Sequence, residues 1–300
     1  MSFSAEELAC GRFLVDRALE EDLNKRGDVT SVALLNSDAE GQAALVARAA
    51  GVLAGLPIVN LLLSRWSEPP LFTPLKADGD ALRPGDRIGV FTGSLRGILG
   101  LERTALNFLQ HLSGIATLTR RFVDAVAGTN VKIMDTRKTL PGWRLLAKYA
   151  VRQGGGTNHR LGLYDGFLVK DNHLAGLAAT GMEPIGEAVR RARALQHELM
   201  RQGAPSLPVE IEVDRLDQFD IVLALGPDIV LLDNMSPAQM REAVGRRDRL
   251  APGILLEASG GVTLDTVRAI AESGVDRISV GALTHSAPAL DLALDYEVRS

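Results

Sequence analysis

The sequence predicts an α/β protein in two parts, a small α+β unit followed by a parallel βα architecture. Three observations predict it. From Val131 onward six short apolar runs alternate with helical patterns: VKIMD (131–135), GFLVK (166–170), PVEIEV (208–213), DIVLL (228–232), GILLEA (253–258) and DRISV (276–280). Such alternation argues for parallel strands joined by crossover helices. The runs are followed by TRK, DNH, DRL, DN, SGG and GALTHS, which puts the unusual chemistry at the carboxyl ends of the strands, where ligand sites of such folds lie. Residues 41–97 have a different texture, with β-type runs GQAALVARA and RIGVFTG and turns at ADGD and RPGD. Six strands are fewer than the eight of a complete barrel, so an irregular barrel and a doubly wound sheet both fit the pattern.

Taken in order, residues 5–22 repeat apolar positions at helical spacing (Leu8, Phe13, Leu14, Ala18), and Gly27 and Asp28 end the pattern. LPIVNLLLSRW inserts as a helix in the α+β unit. Ile98–Ala127 reads as two helices, or one kinked helix, interrupted at Ser113 and Gly114 and joining the two parts. Residues 141–152 read as a helix with Pro141 at its start, on which Lys148 and Arg152, four apart, form a solvated face. RARALQHELMRQGAP (191–205) reads as a helix ending near Gly203.

Composition narrows the function. At 300 residues the chain is long enough for two domains at roughly 150 residues each and for a sizeable core. A single cysteine, Cys10, excludes an intramolecular disulfide and a thiolate metal cluster and fits a reducing compartment. The net charge of −4 gives no global attraction to nucleic acid or to an anionic membrane. The N-terminus carries acids among its apolar residues, unlike a signal peptide, and no apolar run reaches the ~18 residues that span a bilayer. The expectation is a cytoplasmic protein acting on a small molecule.

Four constellations carry candidate chemistry. Between Val131 and His173 stand eight Lys or Arg against three Asp, a local excess of cations in an acidic protein. Screening acts over only ~8 Å at physiological salt, so such a cluster captures an anion despite the global sign. Arg137 and Lys138, directly after a buried strand, are its candidates, because a cation there is costly unless it meets an anion. The second constellation is GGGTNHR (154–160), where His159 offers a tunable donor and Arg160 a bidentate fork for carboxylate or phosphate. His159 and His173 are poor metal ligands, since neither has a carboxylate partner at helical spacing, and His111 and His197 are structural. In the third, the period of two puts Glu210 and Glu212 on one face of PVEIEV, pointing inward, with Glu210 as a buried ion pair and Glu212, nearer the strand's end, as the functional acid. Asp233 ends the next strand. The fourth is SGG (259–261) before a helix, with Gly281 closing the following strand, an arrangement suited to phosphate.

MDTRKTLPGWR, AKYAVRQGGGTNHRLGLYDGFLVKDNH, VEIEV, LLDNMS, LEASGG and GVDRISVGALTHS together resemble quinolinate phosphoribosyltransferase, and EEDLNKRGDVTS extends the resemblance through nearly the whole chain. The resemblance implies an incomplete (β/α) barrel of the type II phosphoribosyltransferase kind with an α+β N-terminal domain. Its expected boundaries are 1–113, joined again by 285–300, and 114–284 for the barrel. It implies transfer of phosphoribosyl from phosphoribosyl pyrophosphate (PRPP) to quinolinate with decarboxylation, giving nicotinate mononucleotide, pyrophosphate and CO2. Carried over by motif, Arg103, Arg137, His159, Arg160 and Lys170 make up the dicarboxylate side, with Lys138 and Thr136 also in the substrate site. Glu212, Asp233, Ser259, Gly260, Gly261 and Gly281 make up the phosphoribosyl side, with Lys138, Lys170, Glu212 and Asp233 catalytic. Magnesium is implied through PRPP, beside Glu212 and Asp233, and a homodimer is implied in which Arg103 reaches the neighbouring site. The segment 174–207 is longer than is usual for the family.

Other readings have less support. A nicotinate-specific enzyme needs fewer cations, and a molybdenum-transport-linked paralogue shares the fold. A biotin or lipoyl carrier-like module is suggested by ADGDALRPGDRIGVFTG, but the lysine between methionines at a tight hairpin is missing. SGG and ISVG alone would fit an isomerase-type phosphate-binding barrel.

Overall fold

The computed structural model describes residues 3–179 and 183–297. The chain divides into two compact units. One is built from the stretch up to Arg120, Lys138–Gly156 and the stretch from Ala282 on; the other from Arg121–Arg137 and Thr157–Gly281. The first unit thus takes in residues 138–156, which the expected boundary at 113/114 assigns to the barrel.

In the first unit the strands are β1 (Glu40–Ala47), β2 (Gly51–Val52), β3 (Leu71–Pro74), β4 (Ala81–Leu82) and β5 (Arg87–Ser94). β1 is flanked by β5 and by the C-terminal strand Leu292–Glu297, both antiparallel, and β3 lies on the other edge of β5. The tail therefore closes this sheet. Ala43, Leu45 and Ala47 of β1 alternate inward onto a dry core with Leu53, Val59, Ile88, Phe91, Ile98 and Leu109. The opening helix runs Ala5–Leu23, capped by Ser4 and Glu7, and a short helix Val29–Leu34 capped by Asp28 follows it. Leu95–Ala125 is one continuous helix rather than two, because Ser113 stays helical with its Oγ turned to the backbone of Ala54.

Two helical expectations in this unit change. The helix after TRKTLPGW begins at Arg144 and ends at Gln153. Its Lys148 is fully buried rather than solvated, and Arg152 pairs with Glu7 of the opening helix at 2.6 Å. Both cations face neighbouring structure, which spacing along one helix does not reveal.

In the second unit the strands are β6 (Lys132–Met134), β7 (Phe167–Val169), β8 (Val209–Val213), β9 (Ile229–Asp233), β10 (Leu255–Ser259) and β11 (Arg277–Ser279), one for each apolar run. They form a single parallel sheet in the order β6-β11-β10-β9-β8-β7. First and last strands are neighbours and the order is cyclic, without the reversal that defines a doubly wound sheet. The barrel reading is the right one, open between β6 and β7, with a bridge from Met134 to Thr157 extending the β6 edge. Val209, Ile211, Val213, Val230, Leu232, Leu256 and Ala258 are buried on one face of the sheet; Glu210, Glu212, Asp233, Glu257, Ser259 and Arg277 alternate onto the other. The segment 174–207 contributes the end of the helix Asp171–Ala178 and the helix Pro184–Arg201, which ends two residues before Gly203. No helix among the described residues is long and apolar enough to cross a membrane.

Candidate active site

Asp135, at the end of β6, is fully buried and organises the NHR segment. Its Oδ1 accepts the His159 N–H at 2.8 Å and its Oδ2 the Asn158 amide at 2.6 Å. The glycines before that segment serve close packing. A Cβ on Gly154 would lie 2.4 Å from the Ala116 carbonyl oxygen, and one on Gly156 would lie 2.7 Å from the Thr119 methyl, so these two let the backbone press against the helix Leu95–Ala125. Gly155 alone of the three takes a positive φ, 89°.

The two ring nitrogens of His159 are engaged inside the unit. Nε2 lies 3.2 Å from Glu210 and 3.2 Å from Glu257, and Nδ1 accepts the Arg160 N–H at 2.7 Å. Burial alone lowers the proton affinity of the imidazole, but the two carboxylates outweigh it and push its pKa up to about 9. Burial also pushes the Glu210 carboxyl up. With Nδ1 already accepting an amide proton, the extra proton belongs to the trio and not to the ring alone. His159 has no carboxylate partner at helical spacing, as expected, but two strands remote in sequence each supply one, which that spacing does not reveal. Glu210 is the buried ion pair anticipated, and Glu257 is the residue that sequence reasoning missed.

Arg160 Nη1 donates to the Gly166 carbonyl at 2.9 Å. Its pKa is lowered by partial burial and by the Arg137 guanidinium close by. The Glu210 and Asp165 carboxylates offset part of that lowering. Thr136 and Arg137 are half-buried at the carboxyl end of β6. A cavity of about 190 Å³ adjoins His159, Arg160, Glu210 and Arg277.

At the carboxyl ends of β7 to β10 the remaining residues converge. The Lys170 ammonium donates to Glu212, while the Lys170 backbone N–H reaches His173 Nδ1 at 2.9 Å. The register pairs Glu212 with Leu231 and Asp233 with Ser259, so Glu212, Asp233 and Ser259 share a face. Asp233 accepts from the Asn234 amide at 2.8 Å, and Asn234 N–H donates to the Ser259 carbonyl at 2.9 Å, tying the two loops together. Gly260 has φ 91°, and a Cβ there would lie 2.2 Å from Asn234 Oδ1. The SGG loop does not open directly into a helix: Thr263–Thr266 form a turn and the helix is the short Val267–Ala271, so backbone N–H groups of the loop itself are what the site offers. Gly281 follows β11 by two residues and is half-buried.

Arg103 and Lys138 belong to the first unit, Arg103 exposed on the helix Leu95–Ala125 and Lys138 exposed with its carbonyl accepting from Thr284. His111 stands edge-on to Trp143, and His197 is exposed.

Glu212 and Asp233 are hard oxygen donors on neighbouring strands and on one face, each with a second oxygen outside its bond to Lys170 or Asn234. Magnesium held by one or two carboxylates and by substrate phosphates fits such a pair.

Residues 28–113 match the family described as Quinolinate phosphoribosyl transferase, N-terminal domain, and residues 115–295 match its C-terminal domain. The chain is 45% identical over 291 residues to nicotinate-nucleotide pyrophosphorylase (carboxylating) of Mycobacterium leprae, covering 96% of this chain and 98% of that one. It is 38% identical to a probable enzyme of the same name in Bacillus subtilis, covering 94% and 92%. Among solved structures, the nicotinate-nucleotide pyrophosphorylase of Francisella tularensis superposes with a TM-score of 0.88 at 37% identity, covering 96% of each chain. With the barrel order, the paired loops and these matches in agreement, the chain belongs to the quinolinate phosphoribosyl transferase family.

Proposed function

We propose that this protein transfers the phosphoribosyl group of PRPP to the pyridine nitrogen of quinolinate with loss of the 2-carboxylate, giving nicotinate mononucleotide, pyrophosphate and CO2 in NAD biosynthesis. The observation that carries this reading is a barrel that sets the Arg160 guanidinium on a cavity of about 190 Å³ and presents Lys170, Glu212 and Asp233 at its carboxyl end. The guanidiniums of Arg137 and Arg160, with Lys170, receive the two substrate carboxylates. Attack by the ring nitrogen on the ribose carbon expels pyrophosphate and makes the ring a pyridinium. That cation holds the electron pair left when the 2-carboxylate departs as CO2, and a proton then takes its place on the ring carbon. Glu212 and Asp233 face the positive charge that builds on the ribose carbon as pyrophosphate leaves, a type of stabilisation worth roughly 3 to 4 kcal/mol per group. The SGG backbone and Gly281 receive the ribose 5-phosphate.

Magnesium enters with PRPP and neutralises phosphate charge, held by Glu212 and Asp233. The enzyme works as a homodimer in the reducing cytoplasm that its lone cysteine fits, and the exposed Arg103 completes the site of the neighbouring subunit.

Purified protein incubated with PRPP, magnesium and either quinolinate or nicotinate is expected to release mononucleotide and CO2 from quinolinate only. Product from nicotinate alone overturns the reading. Arg103→Ala and Lys138→Ala dimers are each expected to be inactive, and exchange of their subunits to restore activity, because one of the two sites in the mixed dimer carries neither lesion. No recovery after confirmed exchange defeats the shared site.

A further inference from the structure

We propose that Glu257 is a positioning residue that holds Arg160 in place through the imidazole of His159. The inference rests on the function proposed above, because it takes Arg160 as one of the cations that receive quinolinate.

Glu257 is fully buried in the middle of β10, between Leu256 and Ala258. A carboxylate in that position is costly unless its partners are built around it. Three are. Ser279 of β11 donates its hydroxyl to Oε1, His159 Nε2 lies 3.2 Å from the same oxygen, and Arg277 of β11 lies 4.0 Å from Oε2. Glu210 of β8, itself buried, takes the other side of the imidazole N–H at 3.2 Å. The ring is therefore clamped between two strands by its Nε2.

The opposite edge of the ring faces the chain. Nδ1 accepts the backbone N–H of Arg160, and the backbone N–H of His159 is tied to Asp135 at 2.8 Å. Imidazole is rigid, so clamping Nε2 fixes the point at which the Arg160 backbone is held. The guanidinium is fixed in turn by the Gly166 carbonyl, which uses one of its five N–H donors and leaves the others to be aimed. Glu257 thus sets the starting point of the Arg160 side chain without touching what Arg160 binds. Ligand atoms of His159, Glu210 and Glu257 lie within 4.8 Å of one another, a spacing that suits a metal ion as well. Ser279 and the shared imidazole N–H occupy one oxygen of each carboxylate and support the clamp, while Glu210 Oε1 and Glu257 Oε2 accept no hydrogen bond, so metal binding is one of the outcomes tested.

The test compares Glu257→Gln and Glu257→Leu with the wild type in steady-state kinetics. The KM for quinolinate is expected to rise about tenfold in the first and about a hundredfold in the second, the range for weakening or losing a hydrogen bond to a charged group. The KM for PRPP should stay within about twofold, because the SGG side is untouched, and most of the loss in kcat/KM should appear in the quinolinate KM. A second measurement does not depend on activity or on the Leu variant folding. The shared His159 N–H should give a downfield proton resonance that disappears in His159→Asn and moves in Glu257→Gln. An unchanged quinolinate KM in an enzyme that turns quinolinate over, or a lower melting temperature with both KM values unchanged, overturns the inference. So does Zn2+ or Mn2+ bound one to one through dialysis and lost in Glu257→Gln. If the wild type does not use quinolinate, the proposed function falls and the resonance alone decides whether the clamp exists.

Discussion

The two sheets of this protein solve the burial of their inner faces in opposite ways. In the antiparallel sheet of the first unit, β1 turns Ala43, Leu45 and Ala47 into a dry core shared with Ile88, Phe91 and Leu109. In the parallel sheet of the second unit, the apolar residues Val209, Ile211, Val230 and Leu256 lie on one face while the other carries Glu210, Glu212, Asp233, Glu257 and Arg277. A face of aliphatic side chains is held by transfer from water and packing. A face that sets charges among the buried Ile229 and Leu231 depends also on the pairing of each charged group with a partner. The first sheet is built for stability; the second uses part of its interior for recognition.

The difference predicts that lesions in the two sheets read out in different assays. The largest loss of activity is expected for Arg160→Ala, about 10³-fold in kcat/KM or roughly 4 kcal/mol, with the melting temperature little changed. Arg160→Lys should recover only a small part, because a point charge does not reproduce the fork that binds both a backbone carbonyl and a carboxylate. In the first sheet, Leu45→Ala should cost about 2 to 5 kcal/mol in denaturant unfolding while the folded enzyme keeps its kcat/KM. Equal loss in both assays for either variant would break the comparison.

The same contrast decides what was legible in the sequence. All six barrel strands were visible because the face packed away from the charges is continuous enough to mark them, and the polar residues after them pointed to the carboxyl ends. Arg137, Arg160, Lys170, Glu212 and Asp233 all lie in the second unit. Glu257 was not visible. It sits inside LLEAS, where one acid among apolar neighbours has the look of a strand end, and its partner His159 is on a loop beside β6. Lys148 was misread for the same reason, since four-residue spacing describes one helix and says nothing of what packs on it. The continuity of Leu95–Ala125 was hidden by Ser113 and Gly114, which suit a break until the Ser113 hydroxyl is seen to bond with Ala54. Partnerships within a few residues were readable, and partnerships made by topology were not.

A third lesion sharpens the comparison within the barrel itself. Gly260→Ala adds a Cβ 2.2 Å from Asn234 Oδ1 at a residue with φ 91°. Strain of this kind is expected to cost about 1 to 3 kcal/mol. It should also raise the KM for PRPP and leave that for quinolinate, the reverse of the Glu257 variants. A rise in both would mean that the SGG loop and the His159 clamp are one mechanical piece.

The smallest effects separate buried charge from surface charge by pH. The His159 trio binds a proton more tightly in the folded state, about 9 against 6.5 for the free imidazole. Its contribution is therefore fully present below pH 6.5 and is lost as the pH rises through about 9, and the raised Glu210 carboxyl works in the same direction. Glu187, on the helix Pro184–Arg201, is the opposite case: bonds from Arg190 and Arg191 pull it down to about 2. Its contribution is present above 4.5 and is lost as the pH falls through about 2. The two arginines are more than half exposed, so salt screens that pair and leaves the trio. Melting temperatures measured from pH 2 to 10 should fall on the alkaline side at low and at high salt alike. Glu257→Gln should flatten that fall. Glu187→Gln should leave the alkaline limb untouched and shift the acid limb only at low salt. An alkaline limb that vanishes in high salt would mean that water reaches the trio, and the interior of the second sheet would then be held like a surface after all.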